Sequence, residues 1–159
     1  MRNDHLSYNG YFRKTSPNID KLASQGIVFE NAFSHASWTL PTGVSFFTSL
    51  YPFQHGIMNR YYASQDQVNL SSSVVSLPDV LARNGYVTAA FTGSFDYSHR
   101  LNSLMYRFNH TYYPDTELFG GLRYGTFEES VPSAIDWLRS NKGEKFMLFL
   151  QGFNMFLEC

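Results

Sequence analysis

The chain has 159 residues, of which 43% are apolar, so it is long enough to bury one ordinary core. Lys+Arg total 12 and Asp+Glu total 13, and the resulting net charge of −1 argues against nucleic acid or an anionic membrane surface as a partner. Cys159 is the single cysteine, which excludes an internal disulfide framework and a thiolate metal cluster. No apolar run reaches the roughly 20 residues that span a bilayer.

The stretch TSPNIDKLASQG predicts a helix over about residues 17–25. It offers a hydroxyl cap, a proline in the first turn, a carboxylate near the positive end of the helix dipole and a glycine after the last turn. The next residues, IVFENAFS, are interpreted as a strand with Ile27, Phe29 and Ala32 at its strand positions. A helix that leads into a strand is therefore the first predicted unit.

The same order of helix and strand recurs twice. In SLPDVLARNGYVTAAFTG, a helix begins after Ser76 and ends before Gly85, and a strand follows over 86–91. A further helix is predicted over about 126–143, and the unbroken apolar run FMLFL predicts a strand covered on both faces, in the middle of a parallel sheet. This alternation indicates a layered α/β domain. Residues 59–73 and 94–125 lack a clear period and are interpreted as a surface loop and a long irregular excursion.

Six phrases occur in order along the chain: TSPNIDKLASQG, WTLPTGVSFFTSLYP, QHG, LPDVLARNGYVTAAFTG, AIDWL and FMLFLQGFN. In this order they resemble the amino-terminal region of sulfatases of the alkaline phosphatase superfamily. The resemblance implies an alkaline-phosphatase-like α/β/α layered domain with a mostly parallel sheet, and hydrolysis of a small-molecule or glycan sulfate ester. It also implies that residues 1–159 are a partial amino-terminal domain, truncated at both ends, without the first strand and the carboxyl-terminal part.

The stretch WTLPTG corresponds to the motif in which sulfatases convert a Cys or Ser to formylglycine, Cys/Ser-x-Pro-x-Arg. Aligned on Pro41, Thr39 stands at the convertible position and Gly43 at the arginine. Formylglycine is therefore not expected. The resemblance makes Thr39 the candidate catalytic residue, a nucleophile that a divalent cation, Ca²⁺ or Mg²⁺, would activate. From the residues alone, Thr39 can also be the N-cap of the helix that runs through GVSFFTSL.

The metal ligands of the family have no counterparts in the aligned stretches. The family's acidic ligands precede a segment like RNDHLS, and where a family member has an Asp and a His after FLQGF, this chain has Asn154 and Phe156. No metal or substrate-binding residue is therefore assigned, and the fragment alone is expected to be inactive and to oligomerise through exposed sheet edges. His55 of QHG is interpreted as a packed or capping residue.

Two other functions stay open. An unmodified threonine also fits a phosphoester hydrolase, or a transferase of the phosphoglycerol or phosphoethanolamine type. A chain without the metal ligands could instead be a non-catalytic, vestigial or binding module. The cellular compartment and the alcohol part of the substrate do not follow from the sequence.

Overall fold

A computed structural model describes residues 3–58, 69–93, 97, 102–113, 117–119 and 122–152. Most of the predicted loop over 59–73 and the positions of Asn154 and Phe156 lie outside these residues. The chain divides into two compact units, residues 1–33 and residues 34–159. None of the helices in the described ranges is long and apolar enough to cross a membrane.

The first unit contains two 3₁₀ turns and one helix: Asn3–His5, Ser7–Asn9 and α1, Pro17–Gln25. The prediction of a helix over 17–25 is thus confirmed. Asp20, in the first turn of α1, accepts hydrogen bonds from the hydroxyls of Ser7 at 2.6 Å and Ser16 at 2.8 Å, and from the amide of Tyr8 at 3.0 Å. These bonds, the one from Ser7 above all, hold the pKa of the Asp20 carboxyl below its ordinary value. Asp20 therefore ties the second 3₁₀ turn to the start of the helix.

The predicted strand after α1 is wrong. Residues 27–33 form no strand, and Ile27 and Phe29 are 86% and 80% exposed. The alternation of apolar residues was present, but a strand also needs a neighbour that takes up its backbone N–H and C=O groups. No described strand pairs with this segment.

The second unit contains the sheet and the remaining helices. Its described helices are α2 (Thr39–Thr48), α3 (Pro52–His55), α4 (Leu77–Arg83), α5 (Asn102–Met105) and α6 (Phe127–Ser140). Its described strands are β1 (Val87–Thr92), β2 (His110–Tyr112), β3 (Glu117–Phe119), β4 (Leu122–Tyr124) and β5 (Phe146–Gln151). A parallel sheet has the order β2-β1-β5, and β3 and β4 form a separate antiparallel pair. The predicted α/β class with a parallel sheet is confirmed.

The two faces of β1 pack against different helices. On one face, Ala90 lies in a cluster with Leu40, Val44 and Phe47 of α2, all at most 2% exposed. The other face carries Ala89 and Phe91, which pack with Ala134 of α6. Because side chains alternate along a strand, Thr88 and Thr92 share the α2 face with Ala90. The described core is therefore a sheet between a layer with α2 and a layer with α6.

The strand predictions need two corrections. β5 lies at an edge of the described sheet, where it pairs only with β1, and Phe146 and Leu150 are 43% and 36% exposed. An apolar run cannot distinguish the middle of a sheet from an edge strand whose two faces are partly covered by helices. The central strand is β1, with a more mixed sequence. β2, β3 and β4 fall within the stretch interpreted as irregular, because strands of three residues are too short to show a period.

Arg107 ties the segment before β2 to α4 and the loop before it, which lie 28 to 36 residues earlier in the sequence. Its guanidinium donates to Asp79 at 2.7 Å, to the carbonyl of Ser71 at 3.1 Å and to the carbonyl of Val74. Asp79 also accepts from the amide and hydroxyl of Ser76 and so completes the capping box of α4. The pKa of Asp79 is lowered: burial opposes the shift, and the hydrogen bonds from Ser76 and the charge of Arg107 outweigh it.

We expect Arg107→Met to lower the free energy of unfolding by about 2–3 kcal/mol, because it removes the ion pair to a partly buried carboxylate and the hydrogen bonds to the carbonyls of Ser71, Val74 and Ser103. The matched control is Arg139→Met, which removes an ion pair to Asp136 whose side chains are 68% and 73% exposed. That change should stay within about 0.5 kcal/mol of the wild type. Urea unfolding of both variants measures the difference, and equal losses would contradict a buried role for Arg107.

Candidate functional site

Thr39 begins α2, and its hydroxyl does not cap the helix. The N-cap position belongs to Trp38, without a side-chain cap hydrogen bond, and Thr39 is the first helical residue. Thr39 is half-buried, and its hydroxyl makes no hydrogen bond to any described residue. The capping interpretation of Thr39 is therefore wrong. A small shift of the helix start placed the hydroxyl inside the first turn, where it cannot reach the amides that an N-cap side chain reaches.

The packing of α2 shows which edge of the sheet Thr39 faces. Phe47, near the end of α2, makes an edge-to-face contact with Phe108, with ring centroids 5.5 Å apart, and Phe108 precedes β2. Gly43, one turn earlier in α2, contacts Tyr97, which follows the carboxyl end of β1. The helix therefore runs antiparallel to the strands and turns Thr39 toward their carboxyl ends. Ligands of α/β sheets bind at that edge.

A buried histidine fixes α2 from the side. Nδ1 of His55 accepts the amide of Ile57 at 3.2 Å, so the ring proton lies on Nε2, which donates to Oγ of Ser45 at 3.1 Å. Ser45 is 7% exposed and His55 is 8% exposed. Burial lowers the pKa of His55 below its ordinary value, because the charged form loses its hydration. His55 is thus a packed residue, as predicted, and it connects α3 to the middle of α2.

We expect His55 to make the protein less stable in mild acid. The unfolded chain takes up a proton at this ring near pH 6.5, its ordinary pKa, whereas the folded state resists protonation until a lower pH. The free energy of unfolding should therefore fall as the pH drops below about 6.5. Above that pH, the neutral His55 ring should make its full contribution to stability. Urea unfolding between about pH 5 and pH 8 measures this slope. In His55→Asn the slope should be shallower; an unchanged slope would contradict the assignment.

Unpartnered polar atoms gather at the carboxyl end of the sheet. Thr92 and Gln151 are the last residues of β1 and β5 and stand opposite each other in the register. Oγ1 of Thr92 and Oε1 of Gln151 are buried without a hydrogen-bond partner among the described residues, and so is Nε1 of Trp38, beside Thr39. Thr92 is 1% exposed and lies on the sheet face that α2 covers. Buried polar groups without partners are rare and are found at functional sites.

On the other side of this edge, backbone contacts close the sheet. The amide of Gly125 donates to the carbonyl of Gly93 at 2.9 Å, and a side chain at Gly93 would collide with Gly125. A Cβ at Gly152 would lie 2.5 Å from the ring of Phe127, the first residue of α6. The segment before α6 therefore packs directly on the strand ends. A candidate site at this edge is therefore restricted to the side of the sheet that faces α2.

Thr92 can be tested against a matched threonine in the same strand. Oγ1 of Thr88 donates to Asn109 at 3.0 Å and accepts the Asn109 amide at 3.1 Å, whereas Oγ1 of Thr92 has no described partner. We expect Thr88→Val to cost about 1–2 kcal/mol of unfolding free energy, and Thr92→Val to be neutral or to stabilise by about 1 kcal/mol. Thermal or urea unfolding without added ligand measures both. An equal loss in the two variants would contradict the unpartnered state of Thr92.

The structure leaves no room for a side chain at Gly43, the residue at the motif's arginine position. A Cβ there would collide with the hydroxyl of Tyr97 and would lie 2.8 Å from two of its ring carbons. The space above this turn of α2 is thus filled by Tyr97, which is 6% exposed. Where the Cys/Ser-x-Pro-x-Arg motif has an arginine side chain, this protein has glycine, and Tyr97 fills the space beside it.

The residues that the structure describes do not assemble a set of metal ligands. Among the described residues, no group of three or more His, Cys, Asp or Glu side chains lies close enough to hold a metal ion. The divalent cation that the resemblance implies therefore has no ligand set within this part of the chain. Thr39 and the unpartnered atoms near it supply neutral oxygens and one indole N–H, which are poor metal ligands without a carboxylate.

Comparison with known proteins identifies the family. The profile of the Sulfatase family matches residues 1–152. The chain belongs to the Sulfatase family. The match includes Thr39, Gly43 and both strand ends at the candidate site.

Individual relatives are similar over parts of the chain. N-acetylgalactosamine-6-O-sulfatase of Bacteroides thetaiotaomicron is 29% identical over 83 residues, which are 52% of this chain and 16% of that protein. Iduronate 2-sulfatase of Mus musculus is 36% identical over 75 residues, 46% of this chain and 13% of that protein. Arylsulfatase H of Canis lupus familiaris is 27% identical over 138 residues, 79% of this chain and 24% of that protein. The chain thus spans a quarter or less of the length of these sulfatases.

A solved structure shares the fold. It is that of a protein in complex with its substrate D-glucosamine-2-N,6-O-disulfate, and it matches 92% of this chain and 31% of its own with a TM-score of 0.69. The sequence identity is 20%, so the similarity concerns the fold. The predicted alkaline-phosphatase-like fold class is confirmed on this comparison and on the parallel sheet.

Proposed function

We propose that the complete protein hydrolyses sulfate esters with Thr39 as its nucleophile. The observation that carries the proposal is the position of Thr39 within a chain of the Sulfatase family. The residue begins α2, faces the carboxyl edge of the parallel sheet and has a hydroxyl without a described hydrogen-bond partner. A nucleophile at a helix N-terminus also benefits from the positive end of the helix dipole when an anion binds.

The reaction would proceed in two displacements. Oγ1 of Thr39 attacks the sulfur, the bond from sulfur to the alcohol oxygen breaks, and the alcohol leaves with a proton. Water then attacks the sulfur of the sulfated threonine, and sulfate leaves while Oγ1 regains a proton. A neutral threonine hydroxyl is a weak nucleophile, so it needs a base or a cation beside it. Residues outside the described part of the chain would have to supply that group, including the ligands of a Ca²⁺ or Mg²⁺ ion.

The substrate class we propose is a small-molecule or glycan sulfate ester. Two of the relatives are named for sulfated sugars, N-acetylgalactosamine 6-sulfate and iduronate 2-sulfate. The alcohol part of the substrate contacts residues beyond the nucleophile in any enzyme of this kind, and this chain spans a quarter or less of those relatives.

The unmodified threonine favours a second candidate function, transfer or hydrolysis of a phosphoester. Thr39 stands where sulfatases have a convertible Cys or Ser. Water or an acceptor alcohol can take the phosphoryl group from a phosphorylated threonine when the leaving threonine oxygen is stabilised. A phosphoester hydrolase, or a phosphoglycerol or phosphoethanolamine transferase, would use the same first displacement at phosphorus.

Thr39→Ala should lower kcat for the hydrolysed ester roughly a thousandfold or more, because it removes the attacking oxygen. Thr39→Ser keeps a hydroxyl and should retain measurable turnover. The control is Thr48→Ala, which removes a hydroxyl that donates to the carbonyl of Val44 at the opposite end of α2. Turnover of para-nitrophenyl sulfate, para-nitrophenyl phosphate and a phosphodiester by the complete protein measures these effects.

Four outcomes distinguish the candidates. Sulfate hydrolysis that depends on Thr39 supports the main proposal, and phosphodiester turnover without sulfate hydrolysis supports the second. Undiminished turnover in Thr39→Ala would contradict both. Absence of any turnover in the complete protein would favour a vestigial or binding module, which the resemblance left open.

Association through exposed edges stays a prediction. β5 has no strand on its outer side within the described residues. Exposed apolar side chains are also present on the first unit, Phe12 at 80% and Phe33 at 82% among them. Unpaired edges and apolar faces of this kind favour self-association when nothing else covers them.

A further inference from the structure

The start of α2 is held by a side chain one turn inside the helix. Trp38, at the N-cap position, makes no side-chain cap hydrogen bond, and Pro41, the third helical residue, has no N–H that a cap could accept. The hydroxyl of Thr42 instead donates back to the carbonyl of Ala36 at 3.0 Å. That carbonyl lies three residues before Thr39. Thr42, rather than an N-cap side chain, therefore ties the helix start to the segment before it.

The hydroxyl of Ser34 completes this connection. Its oxygen lies 2.7 Å from the carbonyl oxygen of Ala36 and 3.1 Å from the hydroxyl oxygen of Thr42. The amide of Ala36 donates to the same oxygen of Ser34 at 3.5 Å. A carbonyl oxygen has two lone pairs and can accept both hydroxyls. The three residues thus form a small polar cluster that closes the bend over residues 35–38.

Thr39 depends on this cluster for its position. The bend ends at Trp38, whose carbonyl accepts the amide of Thr42 at 3.4 Å. That bond is long for an N–H···O hydrogen bond, which is typically about 2.9–3.0 Å between the heavy atoms. Thr39 lies inside this turn, and its own hydroxyl makes no hydrogen bond to any described residue. The bond from the Thr42 side chain is therefore the stronger restraint on the turn that carries Thr39.

Other contacts keep the bend folded without fixing it as closely. The ring of His35 stacks on that of Tyr51, with centroids 4.7 Å apart, and Trp38 packs against the core cluster under α2. Ring contacts of this kind tolerate small displacements better than a hydrogen bond does. Loss of the Thr42 hydroxyl should therefore shift the bend rather than unfold it.

We propose that Thr42 is a positioning residue, whose hydroxyl holds the first turn of α2 and thereby directs the hydroxyl of Thr39 toward the ester. This proposal rests on the proposed function for the role of Thr39. An attacking oxygen must lie about 3–3.5 Å from the atom that it attacks, and a displacement of about 1 Å can cost roughly a hundredfold in rate. Thr42 acts through Thr39 and does not itself contact the ester.

The test compares Thr42→Val and Thr42→Ser in the complete protein. Valine keeps the branched shape of threonine and has a similar helix propensity, but it lacks the hydroxyl. We expect Thr42→Val to lower kcat for the hydrolysed ester about tenfold or more and to leave KM nearly unchanged, because the nucleophile is displaced while the substrate contacts remain. Serine keeps the oxygen, so Thr42→Ser should retain most of the wild-type kcat.

The matched control is Thr48→Val, at the other end of α2. Oγ1 of Thr48 also donates to a backbone carbonyl, that of Val44, at 2.7 Å. Each valine variant loses one hydrogen bond from a hydroxyl to a carbonyl, so the two should lose similar unfolding free energy. Thr48→Val should nevertheless keep the wild-type kcat. A purely structural role of Thr42 would lower the stability of both variants and the kcat of neither.

Amide hydrogen exchange gives a second readout that does not need turnover. In Thr42→Val, the amides of residues 36–40 should exchange faster than in the wild type, because the bend and the first turn of α2 open more often. Thr48→Val should leave their exchange unchanged. Mass spectrometry of the peptides that contain residues 34–42 measures the rates.

The outcomes separate this inference from the proposed function. A loss of kcat in Thr42→Val that Thr42→Ser does not share, together with faster exchange, supports the inference. If the wild type hydrolyses no ester, the proposed function fails, and exchange at residues 36–40 alone decides whether Thr42 holds the turn. Wild-type exchange in Thr42→Val overturns the inference. So does a kcat that is unchanged, that is lost equally in Thr48→Val, or that serine does not restore.

Discussion

The packing of α2 against the sheet is the constraint on which the rest of the second unit depends. Leu40, Val44 and Phe47 form an apolar stripe that is almost completely buried against Ala90 and its neighbours. Burial of each large side chain of this stripe contributes about 1.5–3 kcal/mol. The stripe fixes the rotation of the helix, and the bond from His55 to Ser45 fixes it from the side. Together these contacts hold the first turn, with Thr39, at the carboxyl edge.

The same geometry explains why polar atoms remain unpartnered there. The strands end at Thr92 and Gln151, and the side of this edge beside α6 is closed by backbone contacts of Gly93 with Gly125. The side beside α2 carries Tyr97, Trp38 and the Thr39 hydroxyl. The buried Thr92 hydroxyl has no described partner, and such a group costs about 1–3 kcal/mol. Its presence at this edge is therefore consistent with a ligand-binding site.

Much of the fold could be predicted from local signals. The helix over 17–25 and the one that begins after Ser76 were predicted because proline in the first turn and a capping side chain act within a few residues. β1 was predicted because its residues are β-prone and follow a turn glycine. The prediction of a strand after α1 was wrong and β2 was missed, because strand formation depends on a partner that is distant in sequence. The prediction that β5 lies in the middle of the sheet was wrong for the same reason. β3 and β4 were missed because strands of three residues are too short to show a period.

The candidate site was predictable only in part. Thr39 was found by its alignment with the sulfatase motif, while its alternative role as N-cap was wrong by one position of the helix start. Tyr97 lies 54 residues after Gly43 in a stretch without periodicity, so nothing local connects the two. Glycine at the arginine position was the one available signal, since it indicated that something else fills that space. Which residue fills it is decided by tertiary packing.

If Thr39 is the nucleophile, as we propose, its hydroxyl becomes covalently bonded to the transferred group during turnover. The most direct measurement is peptide mass spectrometry of the complete protein after an acid quench during turnover of the ester that it hydrolyses. The account predicts one sulfuryl or phosphoryl group on the peptide that contains residue 39, with fragmentation assigning it to Thr39. A group on another residue, or an unmodified Thr39 peptide throughout turnover, would contradict the account.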